Sequence, residues 1–326
     1  MVLLPLSYFV EIYYQKDLKT NLMKQLLLYL SFFCSWAIVA QEQKYILLDS
    51  LTAHYQVKQY TLDTSPYGVK NTIEVYNVFS PYYGTNKGID YIILFSVLPD
   101  LSSKTNWEEI DFKKIRNNLF SVKNIFKRVV YKIFGLFSDK SLHIDRVKLV
   151  KKINNEYYAS KICRVDDFYC MDYPRDMVVA TKNFIINTNQ PIKPINVLKE
   201  DYKKVLPNHP FPLSKDGGLL IPNIFENTYL SNIEEKWGDV MYYFYQFCNY
   251  DNRGIDELVY IKDKGIVAGA YGDYFYPIGK IDRTDTKRSD WNKVINDAKN
   301  RLLWAEELKK EWAEKEKQLE NWKKGK

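Results

Sequence analysis

The stretch YYASKICRVDDFYCMDYP, residues 157–174, decides the predicted fold of the middle of the chain. Two strand-like runs flank Asp166 and Asp167, which are residue types that tolerate the positive φ angles of a tight turn. With these two residues as the turn, Cys163 faces Cys170 across an antiparallel pair, where opposite Cα atoms lie roughly 4.5–5.5 Å apart. The sequence therefore predicts a β-hairpin over this stretch.

The same register predicts a disulfide between Cys163 and Cys170. The expected distance suits a disulfide, and an exported protein meets an oxidising compartment. The alternative is a pair of reduced thiols that face each other. Cys248 has no partner in this scheme, and we predict a buried core thiol at the end of a helix over 233–248.

The segments around this hairpin predict an α+β fold on antiparallel sheet. Residues 143–187 are typical of a four-stranded meander with a break at Asn154-Asn155, and four more strand-like runs lie within 44–98. Three further strands are predicted at 256–261, 265–271 and 274–281, with a turn at 262–265 between the first two. Hydrophobic periodicity predicts helices at 105–136, 196–206, 233–248 and from 289 to the C-terminus. Strands and helices in blocks, without regular alternation, favour the α+β class.

Residues 23–43, MKQLLLYLSFFCSWAIVAQEQ, have the order of features found in a secretory signal. A short positive start precedes the apolar run 26–39, and Ala40 is a small residue suited to the position before cleavage. The apolar run is shorter than the ~20 residues of a spanning helix. We predict that 23–40 is a signal peptide, that 1–22 is a start-site artefact, and that the mature protein is periplasmic or extracellular.

Two alternatives to a cleaved signal are an uncleaved double anchor and a lipoprotein. The anchor needs two spanning segments, and both apolar stretches are too short for that. The lipoprotein needs small residues before Cys34, where the sequence has two phenylalanines. The mature chain is predicted to form a globular domain over 41–285 and a long charged helix over 286–326, with a division into subdomains near 195–232 left open.

Composition limits the classes of partner. The net charge of +7 is spread without a block of like charges, so nucleic-acid binding is not predicted. The chain is tyrosine-rich, with 27 Tyr and 16% aromatic residues. One interpretation is a sugar-binding surface. The favoured one is coding bias, because Tyr, Phe, Ile, Asn and Lys are abundant together and aromatic side chains mostly fill cores and interfaces.

The predicted helix over 105–136 has a basic face. Its cationic residues are Arg116, Lys123, Lys127, Arg128 and Lys132. A basic amphipathic helix can lie on a membrane surface. The favoured interpretation is a solvated face opposite an apolar stripe that packs on the core. The sequence specifies no other partner and no oligomeric state.

The stretch CNYDNRGIDELVYI resembles the calcium loop of EF-hand proteins. Asn249, Asp251 and Glu257 occupy positions of oxygen ligands, and Gly254 occupies the sharp turn. Arg253 stands where an acidic ligand is needed, and no bidentate glutamate closes the loop. We therefore predict no metal site and expect Arg253 to pair with Asp251 or Glu257 as an internal cation.

Signatures of hydrolases are missing from the sequence, which contains no Gly-x-Ser-x-Gly, Ser-x-x-Lys or His-Glu-x-x-His. The histidines lack the spacing of metal ligands. Two carboxylate pairs would suit a glycosidase if they came within ~5–9.5 Å in space. The residues considered are His54, His143, His209, Glu108, Glu109, Asp256 and Glu257.

We therefore expect an exported bacterial protein with a non-enzymatic binding or structural role, no cofactor and no identified catalytic residue. The alternatives are a carboxylate-based glycan hydrolase and an envelope-associated protein that uses the basic helix. The run 207–230 contains four prolines and two glycines and has no periodicity. A loop of that length is often functional, so it is the predicted binding edge.

Overall fold

Three β-sheets form the framework of the described part of the chain. The computed structural model describes residues 43–80, 89–100, 103, 105–126, 147–171, 184–205, 207, 228–246, 257–275 and 302–325. The strands are β1 (Lys44–Leu47), β2 (Gln56–Leu62), β3 (Ile73–Phe79), β4 (Ile89–Leu98), β5 (Trp107–Glu109), β6 (Val147–Ile153), β7 (Glu156–Ser160), β8 (Ile162–Met171), β9 (Phe184–Asn187), β10 (Thr228–Lys236), β11 (Asp239–Gln246), β12 (Glu257–Ile261), β13 (Gly265–Ala270) and β14 (Leu302–Trp304). The α-helices are α1 (Leu48–His54), α2 (Phe112–Ile115), α3 (Ile195–Val205), α4 (Gly272–Phe275) and α5 (Glu306–Lys324).

The strands form a small, a central and a C-terminal sheet. The small sheet has the order β1-β6-β7-β5, the central sheet β2-β3-β4-β8-β9 and the C-terminal sheet β10-β11-β12-β13-β14. Neighbouring strands are antiparallel except in the pairs β1–β6 and β8–β9, which are parallel. Antiparallel sheet with a C-terminal helix confirms the coarse prediction. Sheet outweighs helix, so the fold is mixed α+β with a strong β character.

The central sheet lies between two apolar cores. On one face, Leu94 is buried together with Leu258 of the C-terminal sheet. On the other face, Phe95 is buried together with Leu149 of the small sheet. Successive side chains of a strand point to opposite faces, so β4 supplies both cores. Burial on both faces explains why β4 is a continuous apolar run without alternation.

The predicted hairpin at 157–174 is wrong, because β8 is one uninterrupted strand. All ten residues of β8 pair with β4, from Ile162 opposite Leu98 to Met171 opposite Ile89. Asp166 and Asp167 lie inside this strand rather than in a turn. Long-range pairing with β4 therefore overrides the local turn preference of the two aspartates.

The predicted disulfide between Cys163 and Cys170 is wrong for the same reason. The two residues are seven positions apart in one strand, which places their Cα atoms roughly 23 Å apart at about 3.3 Å per residue. Their side chains also lie in different cores. A disulfide needs Cα atoms within about 7 Å, and these two cysteines are not bonded to each other.

The predicted helix at 233–248 is wrong over its described residues, which belong to the hairpin β10–β11. The turn residues Trp237 and Gly238 both have positive φ, 56° and 84°, as a two-residue hairpin turn requires. Met241 and Phe244 are both buried, which mimics a helical face in the sequence. In a strand they point to opposite faces, and both are buried because this sheet is covered on both sides. Cys248 lies outside the described residues.

Two other predicted helices, at 105–136 and from 289 onwards, differ from the structure. Over 105–126 the chain forms β5, the short helix α2 and two 3₁₀ turns instead of one helix. Asp111 caps the start of α2, since its carboxylate accepts a hydrogen bond from the Lys113 backbone N–H. At the C-terminus, β14 precedes α5, so the described long helix begins at Glu306.

Several local predictions are confirmed. Strands β1 to β4 and the helix α3 lie where the sequence predicts them. Asn154 and Asn155, with φ of 50° and 69°, form the turn between β6 and β7. The turn before β13 contains Asp263 and Gly265, both with positive φ. The segment predicted as a strand from Tyr274 begins inside α4, and its remainder lies outside the described residues.

Asn77 of β3 joins the central sheet to the C-terminal sheet. Its side-chain amide donates to the Ile266 carbonyl at 3.0 Å and its carbonyl accepts from the Ile266 N–H at 2.8 Å, in a fully buried position. Gly265 has φ +84°, and a Cβ there would lie 2.7 Å from Asn77 Oδ1. The two sheets can approach this closely only because position 265 has no side chain.

The helix α5 is held on the C-terminal sheet by a group that we call the α5 latch: Asp239, Lys264, Glu311 and Trp312. Lys264 Nζ lies 2.9 Å from Asp239 Oδ2 and 3.0 Å from Glu311 Oε2. Trp312 Nε1 donates to Asp239 Oδ2 at 3.0 Å. Trp312 is also buried, with 8% of its surface exposed. The latch thus combines ionic contacts with apolar burial.

The start of α5 also closes the edge of the central sheet. The Thr61 N–H of edge strand β2 donates to Glu307 Oε2 at 2.9 Å. Leu62 forms an isolated β-bridge with Ala305. An edge strand presents backbone groups that attract other chains, and α5 satisfies part of this edge.

The latch predicts a loss of stability in acid. Burial alone would raise the pKa of Asp239, but hydrogen bonds from Lys264 and Trp312 lower it overall. Hydrogen bonds from Lys315 and Lys264 lower the pKa of Glu311. A carboxyl with a lowered folded-state pKa stabilises the fold above its unfolded pKa, here 3.8 to 4.5, and this contribution disappears as the pH falls through the folded value.

We expect the free energy of unfolding, measured by urea denaturation, to decline from about pH 4.5 downwards. Lys264→Met removes the cation and should flatten this decline. Lys113→Met, at an exposed lysine of α2, is the matched control and should leave it unchanged. Equal pH profiles for Lys264→Met and the natural protein would contradict the assignment.

Candidate functional site

Besides Asn77, the interior between the central and C-terminal sheets contains a group of polar side chains that we call the inter-sheet cluster: Ser96, Arg164, Asp166 and Tyr271. Their exposed fractions are 0%, 1%, 7% and 1%. Ser96 of β4 lies directly opposite Arg164 of β8 in the strand register. Asp166 follows two positions later in β8 and so points to the same face. Tyr271 enters from the end of β13.

Two contacts organise the cluster. Ser96 Oγ and the Tyr271 hydroxyl share a hydrogen bond of 2.9 Å, in which either can donate. Arg164 Nε lies 3.4 Å from Asp166 Oδ2. A buried charge is costly unless it is paired, so the guanidinium and the carboxylate explain each other's presence in an apolar interior.

The electrostatics keep the Tyr271 phenol protonated. Burial raises the pKa of Tyr271 above its usual range, and the nearby Asp166 carboxylate raises it further. The hydrogen bond with Ser96 and the charge of Arg164 lower it in part. The phenol can therefore donate or accept a hydrogen bond at neutral pH, and it is unsuited to act as a base.

Cys163 lies on the opposite face of β8, in the core with the small sheet. Burial raises the pKa of the Cys163 thiol to about 12. A thiol reacts as a nucleophile in its deprotonated form, which is scarce at neutral pH with this pKa. Cys163 is therefore a core residue.

Of the two carboxylate pairs singled out in the sequence, the described pair Glu108 and Glu109 does not converge. Glu108 and Glu109 are neighbours in β5, so their side chains point to opposite faces. Glu108 Oε1 forms a 2.6 Å ion pair with Lys148. Glu257, the first residue of β12, is buried, with 6% of its surface exposed. Asp256 lies outside the described residues.

The structure tests only part of the metal prediction. Among the residues that it describes, no group of three or more His, Cys, Asp or Glu side chains could hold a metal ion. The EF-hand-like residues Asn249, Asp251, Arg253 and Gly254 lie outside the described ranges, as do His143 and His209. His54 is exposed, and its Nδ1 lies 2.9 Å from the Ser50 carbonyl oxygen within α1.

The predicted basic helix is absent from the described residues up to 126. Arg116 and Lys123 lie on two separate 3₁₀ turns and are exposed. The other three cations of that predicted face lie between 127 and 132, outside the described ranges. No helix in the described part of the chain has the length and apolar character needed to span a membrane. The predicted binding edge at 207–230 lies almost entirely outside the described residues.

Ser96, Arg164 and Tyr271 were not predicted as site residues. A signal exists in β8, where Arg164 and Asp166 are two apart and therefore share a face in a strand. The hairpin prediction placed Asp166 in the turn itself and hid that relation. Comparisons of the chain with protein-family models, with curated proteins and with solved structures found no match.

Proposed function

We propose that the protein is an exported, non-enzymatic bacterial protein with a binding or structural role. One observation carries this proposal: the polar side chains of the inter-sheet cluster contact one another within the core. Ser96 of the central sheet shares a hydrogen bond with Tyr271. Arg164 and Asp166 form an ion pair within β8, in which Arg164 Nε and Asp166 Oδ2 make no hydrogen bond within the described part of the chain. A buried hydrogen bond between two sheets stabilises their arrangement, which suits a scaffold that presents surfaces to partners.

Export follows from the signal-like order of residues 23–40. We expect a chain that starts at Met23 to be processed and recovered outside the cytoplasm with Gln41 as its first residue. N-terminal sequencing of the exported material tests this. Recovery of exported protein that retains residues 1–22 would contradict the proposed start site and cleavage.

The second candidate function is a carboxylate-based glycan hydrolase. It is favoured by one observation, the burial of Glu257, which has 6% of its surface exposed. A glycosidase needs a carboxyl group as its general acid.

Incubation of mature protein with a panel of polysaccharides, followed by measurement of released reducing ends, separates the two functions. We expect no release. The control variant is Glu235→Gln, at an exposed glutamate of β10. Release of reducing ends that is lost in Glu257→Gln and kept in Glu235→Gln would overturn the non-enzymatic proposal.

A further inference from the structure

The helix α5 has a docked half and an exposed half. Leu308 and Trp312 are buried on the C-terminal sheet, with 2% and 8% of their surfaces exposed. Lys315 Nζ lies 3.3 Å from the Trp237 carbonyl oxygen, in the turn at the tip of the β10–β11 hairpin. The nine residues 316–324 continue past this contact for about 13 Å at 1.5 Å per residue. We call them the α5 tip.

The α5 tip carries two large apolar side chains in exposed positions. Leu319 has 38% of its surface exposed and Trp322 has 58%. Spacings of four, seven and three residues place Leu308, Trp312, Leu319 and Trp322 along one side of the helix. The side that is buried in the docked half is therefore exposed in the tip.

Positive charge is concentrated at the end of the α5 tip. Lys323 and Lys324 are exposed in the last turn of α5. The two acidic residues, Glu316 and Glu320, lie nearer to the body of the protein. The end of the helix thus combines a tryptophan with a group of cations.

We propose that the α5 tip docks on an anionic lipid surface. In this arrangement Leu319 and Trp322 enter the boundary between headgroups and acyl chains, where tryptophan side chains are enriched. Lys323 and Lys324 keep their stems along the apolar boundary and place their ammonium groups at the lipid phosphates. The cationic end is complementary to such a surface, which attracts juxtamembrane basic residues.

The size of the apolar patch favours lipid over a second copy of the chain. A stable protein interface buries about 800 Å² on each partner, typically with 20 or more residues a side. Two apolar side chains on an exposed helix end cannot supply that area. Partial insertion into a lipid boundary needs only a few anchoring side chains together with electrostatic attraction.

Docking on lipid rests on the binding role proposed above, with anionic lipid as the partner. The experiment is sedimentation of the full mature protein with vesicles that contain phosphatidylglycerol, compared with vesicles of phosphatidylcholine alone. We expect binding to the anionic vesicles at low ionic strength, and weaker binding as salt screens the charges. Absence of binding to the anionic vesicles at low ionic strength would overturn the proposal.

Two variants locate the contact. Each basic residue near an anionic surface contributes about fivefold in partitioning, so Lys323→Gln with Lys324→Gln should weaken binding by more than about tenfold. Lys113→Gln with Lys114→Gln removes the same charge from exposed positions of α2 and should bind like the natural protein. Equal losses in both double variants would show a general charge effect and would overturn the assignment to the tip.

The tryptophan supplies a second readout. Lipids brominated in their acyl chains should quench part of the protein fluorescence, and Trp322→Phe should remove that part. Unchanged quenching in Trp322→Phe would contradict insertion of the tip. Lipid binding through other residues would refute only the assignment to the α5 tip. Glycan hydrolysis would refute the non-enzymatic function and would leave the result with lipid vesicles intact.

Discussion

Replacing Asp166 with alanine is expected to lower the free energy of unfolding by about 3–5 kcal/mol, which is the usual cost of leaving one member of a buried ion pair without its partner. Arg164 has 1% of its surface exposed and cannot reach water without disturbing the sheet. Urea denaturation of both proteins at neutral pH measures the difference. The midpoint should move to lower urea without a change in slope.

The double variant Arg164→Met with Asp166→Val is the control for this prediction. Replacement of a buried pair by apolar residues of similar volume is often neutral or stabilising. We therefore expect the double variant to recover most of the stability lost in Asp166→Ala. If the double variant is as unstable as the single one, the loss comes from packing of these side chains and the ion-pair explanation is wrong.

Gly265→Ala is expected to destabilise the protein by about 2–5 kcal/mol. A residue with a side chain in the left-handed region costs about 1–2 kcal/mol, and overpacking of a close contact adds about 1–3 kcal/mol. The new Cβ would lie 2.7 Å from Asn77 Oδ1 and 2.9 Å from Phe79 Cζ. The Asn77 side chain cannot move away without losing its hydrogen bonds to Ile266.

Gly238→Ala separates the two contributions. Gly238 has the same φ of +84°, and a Cβ there would meet nothing within 4 Å. It should therefore cost only the backbone term of about 1–2 kcal/mol. Thermal or urea unfolding of both variants gives the comparison. Equal losses at the two positions would show that the contact between the sheets tolerates a methyl group.

Local signals in the sequence predicted the elements whose formation is decided locally. The turn at Asn154 and Asn155 and the turn around Asp263 consist of residue types that accept positive φ, and alternation sets the strands beside them. The helix α3 likewise follows from its own periodicity. These elements need no knowledge of distant parts of the chain.

The wrong predictions concern segments whose structure depends on contacts with distant parts of the chain. β8 is a strand because β4 pairs with its whole length. The two aspartates at its centre give no local sequence signal for this pairing. Met241 and Phe244 mimic a helical face because both are buried, although they lie on opposite faces of β11. The inter-sheet cluster needs the register of β4 with β8 and the position of Tyr271, which is 175 residues from Ser96. Side-chain chemistry alone could not have brought these residues together.

The contact between α5 and the edge of β2 sets the order in which the chain can fold. Thr61 and Glu307 are 246 positions apart in the sequence, so this contact can form only after α5 has been synthesised. Contacts of such sequence separation form slowly, because a long loop must close first. In a newly made chain, the backbone N–H of Thr61 therefore waits for Glu307 while the nearer neighbours of β2 already pair.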